Sequence, residues 1–134
     1  MLQQIYSSTS CLPGSGEDLE RGVTEIISRS FPKNRRRGVT GILLHAGDRF
    51  LQLLEGPVAG IEEAMGYIAC DSRHRDVEII SKAVIDHYSL PYSPMECAGL
   101  GGELPPAIRD ALVRDGEFAR ASDRVDPIRD YLLS

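Results

Sequence analysis

With 42% hydrophobic and 26% charged residues, this 134-residue chain has the make-up of a globular domain with one packed core. Its net charge of −5 argues against general nucleic-acid binding but leaves room for local basic patches, and no apolar run reaches membrane-spanning length. Cys11, Cys70 and Cys97 are odd in number, widely spaced and form no CxxC or Cys/His pair with zinc spacing, so neither a disulfide framework nor a metal site is supported, and reduced thiols in a cytoplasmic protein fit best.

Leu2–Ser8 reads as a first strand on which Leu2, Gln4, Tyr6 and Ser8 share a face, and the start of the chain lacks the basic and apolar regions of a signal peptide. A loop with Pro13-Gly14-Ser15-Gly16 leads to Glu17 and Asp18, acidic residues suited to a helix N-terminus. Leu19, Val23, Ile26, Ile27 and Ser30 fall on one face, predicting a helix over Gly16–Phe31 that Pro32 ends. Gly22 costs that helix about 1 kcal/mol relative to alanine, and is either tolerated or marks a close approach. The basic run Lys33-Asn34-Arg35-Arg36-Arg37 reads as a loop, either solvated or in contact with a phosphate or an acidic partner. Val39–Ala46 and Arg49–Glu55 follow as strands joined by a tight hairpin of the primed type at Gly47-Asp48. Ile61, Ala64, Met65 and Ile68 predict a second helix over Val58–Cys70. Asp71-Ser72-Arg73-His74-Arg75 follows it, a capped loop of surface charges or a site for an anion or a polar ring edge. Val77–Ile85 predicts a fourth strand and Tyr92–Ala98 a short fifth, with Gly99–Pro105 as a linker. Pro106–Arg114 and Pro127–Leu133 read as helices. The order β-α-β-β-α-β predicts an α+β, ferredoxin-like fold with a fifth strand. Both long helices belong on one sheet face, and the short C-terminal helices cover Leu51 and Leu53 on the other.

The chemistry narrows by elimination. The Gly14 loop lacks the glycine spacing of a dinucleotide fingerprint and the Lys-Ser/Thr of a P-loop. No Ser-His-Asp order or carboxylate pair points to hydrolysis. An acylphosphatase-like reading fails because Ser7–Gly16 contains no arginine. The informative segment is Phe50-Leu51-Gln52-Leu53-Leu54-Glu55-Gly56-Pro57. Alternation places Gln52 between Phe50 and Leu54 on a face that should be buried. A buried primary amide without partners costs roughly 1–3 kcal/mol, so Gln52 is met by a neighbouring strand, aimed at a polar ligand, or left at a wet rim. In a ferredoxin-like sheet the first and third strands are adjacent, so Tyr6 and Gln52 can meet beneath the helices. With Asn34 at the rim, the set suits a ring bearing carbonyl and N–H groups.

Four blocks, Ile5-Tyr6-Ser7-Ser8, Asn34 followed by Gly38-Val39-Thr40-Gly41-Ile42-Leu43-Leu44, Phe50–Pro57 and Asp71-Ser72-Arg73-His74, resemble the ordered signatures of BLUF domains, blue-light sensors that bind FAD. The resemblance covers about residues 1–98, leaving 99–134 as a C-terminal helical extension. It implies non-covalent FAD, with FMN or riboflavin able to substitute, and no enzymatic reaction. By the same resemblance Tyr6 donates an electron to the excited flavin, and Gln52 rearranges between Tyr6 and the ring. Asn34 holds the ring's N–H/C=O edge, and Ser8, Arg73, His74 and Met95 complete the cofactor site. Lys33 stands where the family usually carries Asn or His, and Ser93 where it often carries tryptophan. A cysteine–flavin adduct has no support, since Cys11 lies in the first loop and Cys70 near a helix end. The residues after Gly99 are too few for a cyclase or phosphodiesterase module, so the expected output is an unknown partner protein or a changed homo-oligomer. The alternative is a BLUF-like interaction module that has lost flavin binding.

Overall fold

A computed structural model describes residues 1–13, 16–89, 94–102, 105–108 and 121–133. The elements run β1 (Leu2–Ser10), α1 (Gly16–Arg37), β2 (Thr40–Ala46), β3 (Arg49–Gly56), α2 (Val58–Ala69), β4 (His74–Val84), β5 (Glu96–Gly102) and α3 (Ala121–Leu133). One five-stranded sheet has the order β4-β1-β3-β2-β5, with β1, β3, β4 and β2 paired antiparallel and β5 added parallel to β2. This is the ferredoxin-like arrangement with a fifth strand, and it sets Tyr6 directly opposite Gln52.

The sheet separates two apolar clusters, as alternation requires. Leu43, Phe50 and Leu54 face Leu19 and Val23 of α1 and Ile61 and Ala64 of α2. Ile5, Ile42, Leu44, Leu51 and Leu53 face the other way and are covered by Ile108, Ile128 and Leu132. The C-terminal segment therefore completes the second half of the core, as expected. Gly47, at φ +60, supplies the left-handed residue of the two-residue hairpin, and Ala46 pairs with Arg49 across it. Gly22 serves a close approach, since a Cβ there would lie 2.9 Å from a Leu12 methyl carbon.

Several expected boundaries are corrected. Helix α1 does not stop at Pro32 but runs on to Arg37, so the basic run and Asn34 belong to its last turns rather than to a loop. Pro32 lies exposed, where the carbonyl that loses its partner can be hydrated. The helix ends instead at Gly38, φ +73, where Val39 N–H donates to Asn34 O (2.9 Å) and Gly38 N–H to Arg35 O (3.3 Å). These are the two bonds of a Schellman cap, and glycine at that position avoids the left-handed penalty. Acidic Glu17 and Asp18 at one end and Arg35–Arg37 at the other complement the helix dipole. Likewise α3 begins at Ala121 and carries Pro127 inside it.

Strand β5 covers Glu96–Gly102, so Gly99–Gly102 is strand where a linker was expected, because pairing with β2 supplies what its glycines lack in propensity. Strand β4 starts at His74, earlier than its apolar run suggests. It crosses an irregularity near Asp76 (φ 54) on a sheet edge, where polar side chains are tolerated. Ser93 and Tyr92, Glu103 and Leu104 of the expected linker, Gly14 and Ser15, and Arg109–Arg114 of the first expected tail helix lie outside the described residues.

His45 gives the fold a pH dependence. It is fully buried on β2, edge-on to Phe50 (4.8 Å, 82°), with Nε2 2.8 Å from Ser10 Oγ and Nδ1 unpartnered. Burial lowers its pKa, outweighing its own carbonyl and the Asp48 field, which raise it. The unfolded chain thus takes up the proton more readily than the fold. Stability contributed by the neutral ring is present above about pH 6.5 and is lost as pH falls through the folded value. We expect the melting temperature to decline as pH falls below about 6.5 and His45→Gln to flatten that decline. The Asp71 carboxyl, lowered chiefly by the Arg73 hydrogen bond, matters only below about pH 3.9. An unchanged slope in His45→Gln would remove His45 as the cause.

Candidate functional site

A cavity of about 530 Å³ opens between α1 and α2 over the central strands. That volume lies in the range of small-molecule and cofactor sites. Its walls are apolar where the sheet forms them, with Leu43, Phe50 and Leu54, and on the helices with Ile26, Ala64 and Ile68. Polar groups converge at a few points. At the floor Tyr6 Oη donates to Gln52 Oε1 at 2.5 Å, and Gln52 Nε2 donates to Met95 Sδ at 3.2 Å. All three side chains are buried. Cross-strand pairing fixes this geometry, because Tyr6 and Gln52 are direct partners on β1 and β3.

Burial, aided by the Asp71 charge, pushes the Tyr6 phenol far above its ordinary pKa. Tyr6 therefore keeps its proton across the working range and can donate to Gln52. Gln52 presents its carbonyl to Tyr6 and its amide hydrogens to a thioether, a weak acceptor only. A rotated amide would still satisfy the phenol, which both donates and accepts, but would set its carbonyl against a sulfur that has no hydrogen to give. The residue thus has two distinguishable states within one packing arrangement.

Asn34 is buried in the last turns of α1 and donates through Nδ2 to Pro94 O at 3.0 Å. This bond ties the approach to β5 against the helix and leaves the Asn34 carbonyl and second amide hydrogen for a neighbour. On the opposite rim Arg73 forms a two-point contact with Asp71 (Nε–Oδ1 2.8 Å, Nη2–Oδ2 2.6 Å), which holds the carboxyl below and the guanidinium above their usual values. Arg73 Nη1 remains buried without a partner. His74 bonds Ile68 O through Nε2 at 2.6 Å and Ser8 Oγ through Nδ1 at 2.7 Å. A carbonyl only accepts, so Nε2 carries the hydrogen, and in the neutral ring Ser8 donates to Nδ1. The His74 ring meets Tyr6 and Phe50 edge-on, at 6.1 and 6.0 Å.

Of the expected site residues, Tyr6, Asn34, Gln52, Arg73, His74 and Met95 all line the cavity. Ser8 does not; it sits behind His74 and orients that ring. Arg29, Lys33, Arg37 and Tyr67 also line the cavity; Lys33 and Arg37 belong to the basic run expected as a solvated loop or a phosphate or acidic-partner contact, whereas nothing was expected of Arg29 and Tyr67. Following one helical face at spacings of three and four, from Ile26 through Arg29, Ser30 and Lys33 to Asn34 and Arg37, finds the α1 members. Among the described residues no cluster of ligands for a metal ion occurs, and no helix is long and apolar enough to cross a membrane.

Comparison with known proteins matches this architecture. The family model described as sensors of blue-light using FAD, BLUF, matches residues 1–96. The chain is 35% identical over 115 residues to the photoactivated adenylate cyclase subunit alpha of Euglena gracilis, covering 84% of this chain and 11% of that protein. It is 38% identical over 55 residues to the blue light- and temperature-regulated antirepressor BluF of Escherichia coli, covering 41% and 14%. It thus spans only about a tenth of the length of the cyclase subunits it matches. Among solved structures, BlsA in its photo-activated state superposes with a TM-score of 0.75 at 20% identity, over 98% of this chain and 94% of that one. The dark state of BlrB, a BLUF protein, gives 0.69 at 24%, over 96% and 92%. At those identities the likeness is one of fold.

Proposed function

This chain belongs to the BLUF family of blue-light sensors that use FAD, and on that premise we propose that it binds one flavin non-covalently between α1 and α2 and answers blue light by rearranging Gln52. BLUF domains are sensor modules rather than enzymes. The observation that carries the proposal is the Tyr6–Gln52–Met95 relay at the floor of a cavity sized for a cofactor. The residues fit a flavin on physical grounds. Apolar walls accommodate a flat ring, Asn34 has a free carbonyl and N–H for a ring edge that carries both groups, and Arg73 Nη1 is a buried donor that lacks an acceptor. An orphaned buried donor costs about 1–3 kcal/mol, and a ligand oxygen would relieve that cost.

The flavin, when bound, supplies blue-light absorption and an excited state able to oxidise a phenol. Tyr6 would be the electron donor to that excited state, with Gln52 Oε1, 2.5 Å away, placed to take the phenol proton; once electron and proton were back on Tyr6, the Gln52 amide could settle rotated or tautomerised. Asn34 and Arg73 would hold the polar groups of the ring, His74 would pack beside it with both of its nitrogens already bonded, and Ser8 keeps His74 in place. Met95 senses the change, because rotation of Gln52 withdraws the hydrogen bond from its sulfur. The functional division falls between residues 1–98, which hold every residue assigned to the flavin, and 99–134, which form the extension. Strand β5 crosses that division and couples the two parts. We assign the output to a separate downstream protein or a changed homo-oligomer, and the location to the cytoplasm, where cysteines outside any disulfide would stay reduced.

The test is colour. The purified chain should be yellow, and denaturation should release a flavin chromatographically identical to FAD, FMN or riboflavin. Colourless protein that takes up none of the three would favour the flavin-free interaction module.

A further inference from the structure

The cavity mouth carries charge that the ring site does not explain. Arg29, Lys33 and Arg37 recur at i, i+4 and i+8 along α1, and all three line the cavity. Like charges at that spacing oppose each other. Two of them are neutralised, Arg29 by Glu25 at 2.7 Å and Arg37 by Glu63 at 3.2 Å. Lys33 has no carboxylate partner among the described residues. Its ammonium sits 4.7 Å from the centre of the Tyr67 ring, and the Arg37 guanidinium sits 4.9 Å from the same centre. Tyr67 is 57% exposed although it is aromatic, and it stands at the cavity rim. One ring therefore holds two cations together at the opening. The helix dipole accounts for basic residues in the last turn, but Arg35 and Arg36 meet that need without lining the cavity. In a chain of net charge −5, an unpaired cation beside apolar walls creates a local positive field that favours an anion.

We propose that Lys33, with Arg37 and Tyr67, forms a phosphate-reading subsite at the cavity mouth, through which this chain prefers phosphorylated flavins, FMN and FAD, over riboflavin. The proposal rests on the flavin reading above and refines it, with the neutral ring at Gln52 and the anionic tail at the mouth. Lys33 acts as a point charge with three donors, and the nearby Arg37 adds a fixed fork. An asparagine or histidine at Lys33's position could contact a ring, whereas an ammonium suits a phosphate oxygen.

The experiment titrates the full chain with riboflavin, FMN and FAD at low and at high salt, following flavin fluorescence. FMN and FAD should bind about tenfold more tightly than riboflavin at low salt, and salt should narrow the gap. Lys33→Met keeps the stem and removes the charge; it should cost FMN and FAD more affinity than riboflavin and so close the gap between them. Equal binding of all three flavins, or equal weakening of all three in Lys33→Met, overturns the subsite and leaves the ring site standing. Failure of riboflavin, FMN and FAD alike to bind overturns the flavin reading and the subsite with it.

Discussion

Gln52→Leu and Tyr6→Phe should each bind flavin and lose the light response. In the parent protein, blue light should move the flavin absorption slightly to the red, with reversal in darkness and no covalent adduct. The variants test that response at the two residues proposed to carry it. Phenylalanine keeps the ring of Tyr6 and its packing against His74 but removes the electron-rich hydroxyl and the hydrogen bond to Gln52 Oε1. Leucine keeps the volume at position 52 but removes every group that can exchange ends between Tyr6 and Met95. Neither change opens the ring cavity, whose walls are Leu43, Phe50, Leu54 and the two helices. Stability should fall by about 1–3 kcal/mol in Tyr6→Phe, because the buried Gln52 carbonyl loses its donor. In Gln52→Leu the cost should be similar, because the buried Tyr6 hydroxyl then loses its acceptor while the leucine joins apolar neighbours. Absorption spectra before and after illumination decide the matter. A normal red shift in Gln52→Leu would refute the amide switch, and a normal shift in Tyr6→Phe would refute the assignment of Tyr6 as donor.

Much of this site could be read from strand arithmetic. Period-two alternation put Gln52 between Phe50 and Leu54, and strand order put β1 beside β3, which together place Tyr6 opposite Gln52. Other features needed three dimensions. Pro32 hid the last turns of α1, because proline is a local signal for ending a helix while the Gly38 cap and the Asn34–Pro94 bond are the signals that extend it. The glycines of β5 resemble a linker in composition, and only the parallel pairing with β2 makes that segment a strand. Glu55 falls on the expected face with Leu51 and Leu53. Its complete burial depends on Gln3 Nε2 (2.7 Å) and the Ser89 N–H (2.6 Å), partners 52 and 34 residues away. Long-range partners of that kind leave no local trace. Ser8 shows the converse limit: alternation puts it on the face of Tyr6, but the reach of its short side chain ends at His74.

The face opposite the cavity sets the largest expected loss of stability. Ile128 and Leu132 of α3 are buried to 0% and 1% exposure against Leu51 and Leu53, with Ile108 alongside. Leu132→Ala should cost about 2–5 kcal/mol, a large share of the roughly 5–15 kcal/mol that stabilises a domain. Urea unfolding would read this as a lower midpoint at an unchanged slope. The red shift should survive, because every residue assigned to the flavin lies on the other face or at its edge. A cost below about 1 kcal/mol would mean that α3 is not part of the core. The same helix is also the route by which light could leave the site. Met95 precedes β5 directly, β5 pairs with β2, and Ile42, Leu44 and Ala46 of β2 belong to the cluster that α3 covers. A Gln52 rearrangement that releases Met95 would loosen the start of β5 and, through β2, the seat of α3. Hydrogen exchange should therefore differ between dark and light across residues 96–102 and 121–133, with the lit state less protected. Identical protection in both states would leave α3 as a static lid that completes the core and takes no part in signalling.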